Sequence, residues 1–230
     1  MEWLDRQINL IGEDAIEKLI DSEISVFGLG GVGSYALETL VRTGAGKVNI
    51  VDNDVIDKTN INRQLYALNS TIGRKKIDIA KERCLDINPK LEIKAFDLFI
   101  ENKKDIMEIV KESDYILDCI DTIDSKLKII EVAKELNIPI ISSMSTGNKL
   151  DPKALQILDI FNTNTCPIAK KTRKALRDLN IDSLKVLCSP EDNMKIDKDI
   201  NEIATVSFVP SVAGIFMTAE CIKDLLNIER

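Results

Sequence analysis

The stretch Ile24-Ser25-Val26-Phe27-Gly28-Leu29-Gly30-Gly31-Val32-Gly33-Ser34 decides the fold. A short apolar run ends in Gly28, Gly30, Gly31 and Gly33, and a helical pattern starts at once behind them. Strand, glycine turn, then helix is the phosphate-cradling unit of dinucleotide-type α/β folds. Glycines let the backbone approach a polyphosphate, whose charge then meets the positive end of the helix.

Outward from this loop, strands and helices alternate. Ahead of it, Glu13 to Ile20 reads as a helix and Ile24 to Phe27 as the first strand. Behind it come a helix over Gly33–Thr43, a strand over Lys47–Val51 and a helix over Arg74–Cys84. Leu91–Phe96 alternates as a strand, and Lys103–Lys111 is helical. Tyr115–Ile120 is a nearly continuous apolar run, as in a strand buried on both faces. Helix Ser125–Leu136 and strand Ile138–Ser142 follow. This βαβ rhythm predicts a Rossmann-like, doubly wound, largely parallel sheet. Residues 1–150 form its nucleotide-binding portion, and 151–230 an appended substrate-binding portion. The latter holds a strand (Ala154–Ile160), a basic helix (168–179), a strand (Lys185–Ser189), a mobile loop (190–204) and a closing helix (209–226).

Composition narrows the chemistry. The 230 residues include no histidine, which excludes Ser-His-Asp and Cys-His catalysis and His-ligated metals. The five cysteines are scattered and never spaced C-x-x-C, which fits reduced thiols in a cytoplasmic protein and argues against structural zinc. Cys84, Cys119 and Cys221 read as core thiols, while Cys166 and Cys188 lie near loop ends, either inert or within reach of a sulfur-transfer partner. A net charge of −7 argues against nonspecific coating of nucleic acid, and no apolar run approaches the length of a membrane span. Catalysis must rest on carboxylates, Lys, Arg, backbone amides and a bound ion.

Asp52 stands about 20 residues beyond the glycine loop, the usual place for an acid that bonds a ribose hydroxyl. Loop and acid alone favour a nicotinamide dehydrogenase. The residues that follow reverse this. Among Asp54, Asn60, Arg63, Gln64 and Lys76 stand two cations, Arg63 and Lys76, for which hydride transfer has little use. Cleavage of ATP between the α- and β-phosphates does need cations, because charge builds on phosphorus and on departing pyrophosphate. Asp121, just past the buried strand, lies on the edge where open α/β sheets bind ligands and is the candidate magnesium (Mg2+) carboxylate. Asp118 reads as structural, and Asp124 as a helix N-cap.

Together G-x-G-G-x-G, D-x-D, T-N-x-N-R-Q, G-x-x-K and C-I-D-T resemble the ubiquitin-activating-enzyme-like superfamily of adenylating enzymes, over nearly the whole chain. Within it the chain is most similar to the tRNA threonylcarbamoyladenosine dehydratases, through Arg6 with Leu10-Ile11-Gly12, Thr59–Gln64, Ser142–Pro152 and Cys166-Pro167-Ile168-Ala169. Members that activate sulfur-carrier proteins usually carry paired C-x-x-C motifs, absent here, so a carrier-protein adenylyltransferase is the second reading. The resemblance implies ATP and Mg2+ as cofactors, a tRNA substrate and a homodimer. It implies that Asp52 binds ribose, that Asn60, Arg63 and Lys76 bind the triphosphate, and that Asp121 supports the metal. It also implies that Arg6, which precedes the first helix in this reading, reaches an active site, often the other subunit's.

The segment Ile168 to Leu179 adds an independent hint. Ile168, Ala175, Leu176 and Leu179 fall on one helical face, and Lys170, Arg173, Lys174 and Arg177 on the opposite one. Such a face suits RNA phosphates, or is a solvated face balanced by nearby acids. The resemblance favours tRNA.

Overall fold

In the computed structural model, which describes residues 2–194 and 203–228, a seven-stranded sheet runs in the order β3-β2-β1-β4-β5-β7-β6. Its strands are β1 (Glu23–Phe27), β2 (Lys47–Val51), β3 (Glu92–Phe96), β4 (Tyr115–Asp118), β5 (Ile140–Ser143), β6 (Gln156–Asp159) and β7 (Lys185–Cys188). All pairings are parallel except β6 with β7, so the doubly wound sheet expected from the βαβ rhythm is present. The winding reverses between β1 and β4, which opens the crevice where such sheets bind ligands.

Two helical layers cover the sheet. One holds α3 (Gly33–Arg42), α4 (Lys76–Ile87) and α8 (Phe208–Leu226), packed on the inner residues of β1, β2 and β4. The other holds α5 (Lys103–Val110), α6 (Ile123–Glu135) and α7 (Pro167–Asp178). Helices α1 (Asp5–Ile11) and α2 (Glu13–Asp21) close one end, with Leu4, Ile16 and Leu19 packed against the last turns of α8. Arg6 therefore lies within a helix rather than before one; the pattern of α1 is too short and too exposed to show as periodicity. Helix α8 comes unusually close to α3, since a Cβ on Gly214 would sit 2.3 Å from the Val32 carbonyl oxygen.

The expected boundaries shift for local reasons. Strand β4 stops at Asp118, two residues short of the apolar run, because the Asp118 Oδ1 accepts from the Ile120 N–H (3.2 Å) and turns the chain off the sheet. Asp124 is not the N-cap of α6. That position is Thr122, without a side-chain cap, and Asp124 sits in the first turn. Leu179 is not on the buried face of α7; it is the C-cap and 40% exposed, and Ala169, Thr172 and Leu176 form that face instead. The helices α6, α7 and α8 are each followed by Asn-Ile, with Asn137, Asn180 and Asn227 in the left-handed region and the Ile N–H reaching back five residues. Asparagine thus takes the place glycine usually fills at a helix end. Of the expected loop over 190–204, residues 195–202 lie outside the described residues.

Candidate active site

The glycine loop is shaped by contacts that forbid side chains. Gly28 has φ +85°, and a Cβ there would meet the Cys119 carbonyl oxygen at 3.0 Å. A Cβ on Gly33 would lie 1.8 Å from the Gly28 oxygen. These approaches bring the N-terminus of α3 against the turn after β4, at the crossover point of the sheet. A cavity of about 420 Å³ opens there.

Asp52, at the end of β2, faces the loop. Its Oδ2 accepts from the Leu29 N–H at 2.7 Å and its Oδ1 from the Asp54 N–H at 2.8 Å. Each oxygen keeps a lone pair for a ligand. Burial raises the Asp52 pKa above the usual carboxylate value, and the Lys76 ammonium 3.9 Å away opposes that rise without cancelling it. Lys76 opens α4, and its Nζ lies 2.6 Å from the Oδ2 of Asp54, whose side chain is 61% exposed. Arg63 is carried by the turns after a 3₁₀ segment, Lys58–Asn60, that Asp57 and Asn60 close as a capping box. The Arg63 Nη1 donates to the Thr59 carbonyl (2.8 Å) and Asn62 Oδ1 (3.0 Å), and the guanidinium makes no ion pair among the described residues. A half-buried cation without a carboxylate is a standing anion site.

The structure brings Gly28, Gly30, Gly31, Asp52, Asp54, Asn60, Arg63, Gln64, Lys76 and Asp121, all singled out from the sequence, to the lining of this one cavity. Gly33 acts from behind it, and Arg6 is exposed on α1 and does not line it. Asp121 is exposed and lines the cavity without an ion pair among the described residues, whereas Asp118 is fully buried and engaged. One carboxylate with water and phosphate oxygens is the donor set Mg2+ accepts.

Three parts of the wall go unforeseen. Leu98-Phe99-Ile100 and the pair Ile203 and Thr205 carry no motif. Ser143–Gly147, after β5, forms the far side, and its Gly147 has no room for a Cβ beside Ile203. Lys126 on α6 also lines the cavity, although its ammonium pairs with Asp118 (2.7 Å) and bonds Ser142 Oγ (3.1 Å). Its spacing with Ile129, Ile130 and Ala133, one buried helical stripe, was the available signal.

Helix α7 starts at the cavity, where Ile168 contributes to the lining, and runs outward. Lys170 and Lys174 are exposed and make no ion pair among the described residues. Arg177 lies over the Phe161 ring at 5.5 Å, and Arg173 turns inward to the Thr163 hydroxyl and the Ile160 carbonyl. The cationic face is thus narrower than the helical wheel implies. Cys166 and Cys188, expected near the surface, are 1% and 4% exposed. The Cys188 thiol donates to the Ser189 carbonyl oxygen at 3.6 Å, and the closeness of the two sulfurs lowers the Cys166 pKa and raises that of Cys188. Neither sulfur is open to a docking protein.

Fold and site define a nucleotide-binding α/β protein with a cationic, phosphate-directed cavity at its crossover point. The chain belongs to the ThiF family, whose model matches residues 4–230. It is 40% identical to the tRNA threonylcarbamoyladenosine dehydratase of Bacillus subtilis (strain 168), over 94% of this chain and 92% of that protein. It is 34% identical to the Escherichia coli (strain K12) protein of that name, over 73% of this chain and 63% of that one. The crystal structure of the E. coli tRNA N6-threonylcarbamoyladenosine dehydratase in complex with ATP superposes with a TM-score of 0.92 at 27% identity, covering 98% of this chain and 94% of that one. The complex of the same enzyme with AMP gives 0.91 at 28% identity, covering 96% and 93%.

Proposed function

We propose that this protein is an ATP-dependent dehydratase that cyclises threonylcarbamoyladenosine in tRNA by adenylating its carboxylate. The carrying observation is a single cavity that gathers the glycine loop, Asp52, Lys76 and an Arg63 without an ion pair among the described residues, at the crossover point. The likeness to dehydratases, one solved with ATP, supports it.

In this reading Asp52 takes the ribose hydroxyls on its free lone pairs, and Gly28–Gly33 lay the phosphates against the N-terminus of α3. Asn60 and Gln64 add neutral hydrogen bonds. Lys76 exchanges its exposed partner Asp54 for phosphate oxygens, and Arg63 meets the charge that develops on the α-phosphorus and pyrophosphate. Asp121 would hold a magnesium ion, whose charge would offset that of the phosphates.

The substrate carboxylate attacks the α-phosphorus, giving an acyl adenylate and pyrophosphate. A nucleophile within the modified base closes the ring on the activated carbonyl, and AMP leaves with the carboxylate oxygen. No protein nucleophile is needed, consistent with a site of cations and amides and a chain without histidine. Orientation and charge stabilisation supply the rate.

Lys170, Lys174 and Arg177, with Arg173 at their inner border, give the tRNA backbone a track leading into the cavity. Arg6, outside its own cavity, serves the partner's site in a homodimer. No helix is long and apolar enough to cross a membrane among the described residues, in keeping with a cytoplasmic tRNA-modifying enzyme. The reaction transfers no sulfur, so a sulfur-relay partner would dock without chemistry at the buried Cys166 and Cys188.

The test is mass spectrometry of tRNA nucleosides after incubation with ATP and Mg2+, with AMP release measured alongside. The expected result is a nucleoside lighter by one water per AMP formed. ATP turnover that needs a Gly-Gly-ending protein instead of tRNA, or binding of NAD tighter than ATP, would overturn the reading.

A further inference from the structure

Lys126 is the largest fully buried charged side chain among the described residues, on a helix face shared with Ile129, Ile130 and Ala133. Apolar residues at both 126 and 118 would fill this space without the desolvation cost of two charges, so the ion pair calls for a different account. Its partner Asp118 is the last residue of β4, in register with Phe27 of β1 on one side and Ser142 of β5 on the other. Both charged side chains are sealed, at 1% and 0% exposure.

The bonds form a closed triangle. The Ser142 hydroxyl donates to the Asp118 Oδ2 at 2.6 Å, the Lys126 Nζ donates to the same oxygen at 2.7 Å, and Nζ also donates to Ser142 Oγ at 3.1 Å. The other carboxylate oxygen accepts the Ile120 N–H. That last bond turns the chain off the sheet one residue before Asp121. Ser142, in turn, immediately precedes Ser143–Gly147, the opposite wall of the cavity. One ammonium thus joins three elements exactly where two cavity walls leave the sheet.

We propose that Lys126 is a positioning residue: through Asp118 and Ser142 it fixes the Cys119–Thr122 turn and the Ser143–Gly147 segment relative to each other. The inference rests on the adenylation reading for its kinetic consequence, but not for its geometry. ATP is held mainly by the glycine loop, Asp52, Arg63 and Lys76, none of which is hydrogen-bonded to the side chains of the triangle. Loss of Lys126 therefore weakens turnover and leaves nucleotide affinity nearly intact. A displacement of about 1 Å at a reacting centre costs on the order of 10²-fold in rate.

The test compares the full chain with Lys126→Arg and with the paired Asp118→Leu/Lys126→Met, which leaves no buried charge unpaired and so protects folding. Three quantities are measured: ATP binding, tRNA-dependent AMP release, and peptide-level hydrogen exchange. For the paired variant the expected outcome is ATP affinity within about threefold of the parent and turnover lower by about 10²-fold. Exchange should quicken over 119–122 and 143–147 while the glycine loop stays as protected as before. Lys126→Arg should recover most of the turnover. Turnover at the parent rate in the paired variant, or lost turnover with unchanged exchange in both segments, would overturn the proposal. A parent chain that releases no AMP with tRNA would defeat the adenylation reading instead, while the exchange pattern still decides whether Lys126 holds the two walls.

Discussion

Lys76 and Lys126 line the same cavity and are bound in opposite ways. Lys76 sits at the first turn of α4 with its ammonium on Asp54, a side chain 61% exposed, and Asp52 farther off. Lys126 is enclosed between Asp118 and Ser142, which are fully buried. An ion pair with one exposed partner gives little stability, because water competes for the exposed carboxylate. A sealed pair gives little net stability over an apolar pair, yet its removal on one side only is severe. The pocket therefore holds one lysine whose partner a ligand can replace and one whose partners nothing can replace.

Removing single residues separates the two kinds. Lys126→Met strands Asp118 without a countercharge and should lower unfolding free energy by about 3–5 kcal/mol, read from urea denaturation. A loss below about 1 kcal/mol would erase the distinction. Lys76→Met should cost only about 1 kcal/mol of stability while reducing AMP release by roughly 10²- to 10³-fold, as removal of a transition-state donor does.

The same variant carries a pH signature. The folded Asp52 ionises above its ordinary value, so its ionisation costs stability as pH rises from 3.8 upward. Without the Lys76 ammonium that window should extend to higher pH, seen as a later carbon-13 titration of the Asp52 carboxyl. An unmoved titration would mean that Lys76 does not act on Asp52.

Two further tests involve cations that stay in contact with solvent. Lys170→Gln with Lys174→Gln should leave folding unchanged and reduce the salt dependence of tRNA binding by about 0.7–0.9 per lost phosphate contact. An unchanged slope would remove α7 from the tRNA path. Glu38, tied to Arg83 at 2.7 Å and to Arg42 at 2.7 Å, tests the mildest case. Burial pushes its pKa up, but Arg83 and Arg42 outweigh that and lower it below 4.5. Its stabilisation is present above pH 4.5 and is lost as pH falls through the depressed value. Glu38→Gln should thus cost about 1 kcal/mol near neutrality, with the difference from the parent closing on acidification in thermal melts.

What the sequence discloses follows the same division. Gly28–Gly33, Asp52 and Lys76 are legible because a strand, a turn and a helix start constrain one another over a few residues. Parallel order and the position of Asp121 beyond a buried run follow from the same local logic. Lys126 is not legible in that way. In Ser125-Lys126-Leu127-Lys128 it resembles a solvated charge, and only its register with Ile129, Ile130 and Ala133 marks it as interior. The wall from Ser143 to Gly147 and the pair Ile203 and Thr205 meet through tertiary packing, which leaves no periodic trace. Of the helices stopped by Asn-Ile, α6 and α7 end one residue short of the expected Leu136 and Leu179, and α8 ends at the expected Leu226.

The interlock of Gly28 and Gly33 has a consequence for how such a chain can change. A single methyl on Gly33 collides with the Gly28 oxygen at 1.8 Å, and one on Gly28 crowds the Cys119 backbone in a left-handed conformation. Single substitutions at these two positions are therefore closed routes, since relief would require moving two strands and a helix together. Innovation must enter through the rim, at side chains such as Asn60, Arg63 and those beyond β5, while the cradle itself is inherited whole.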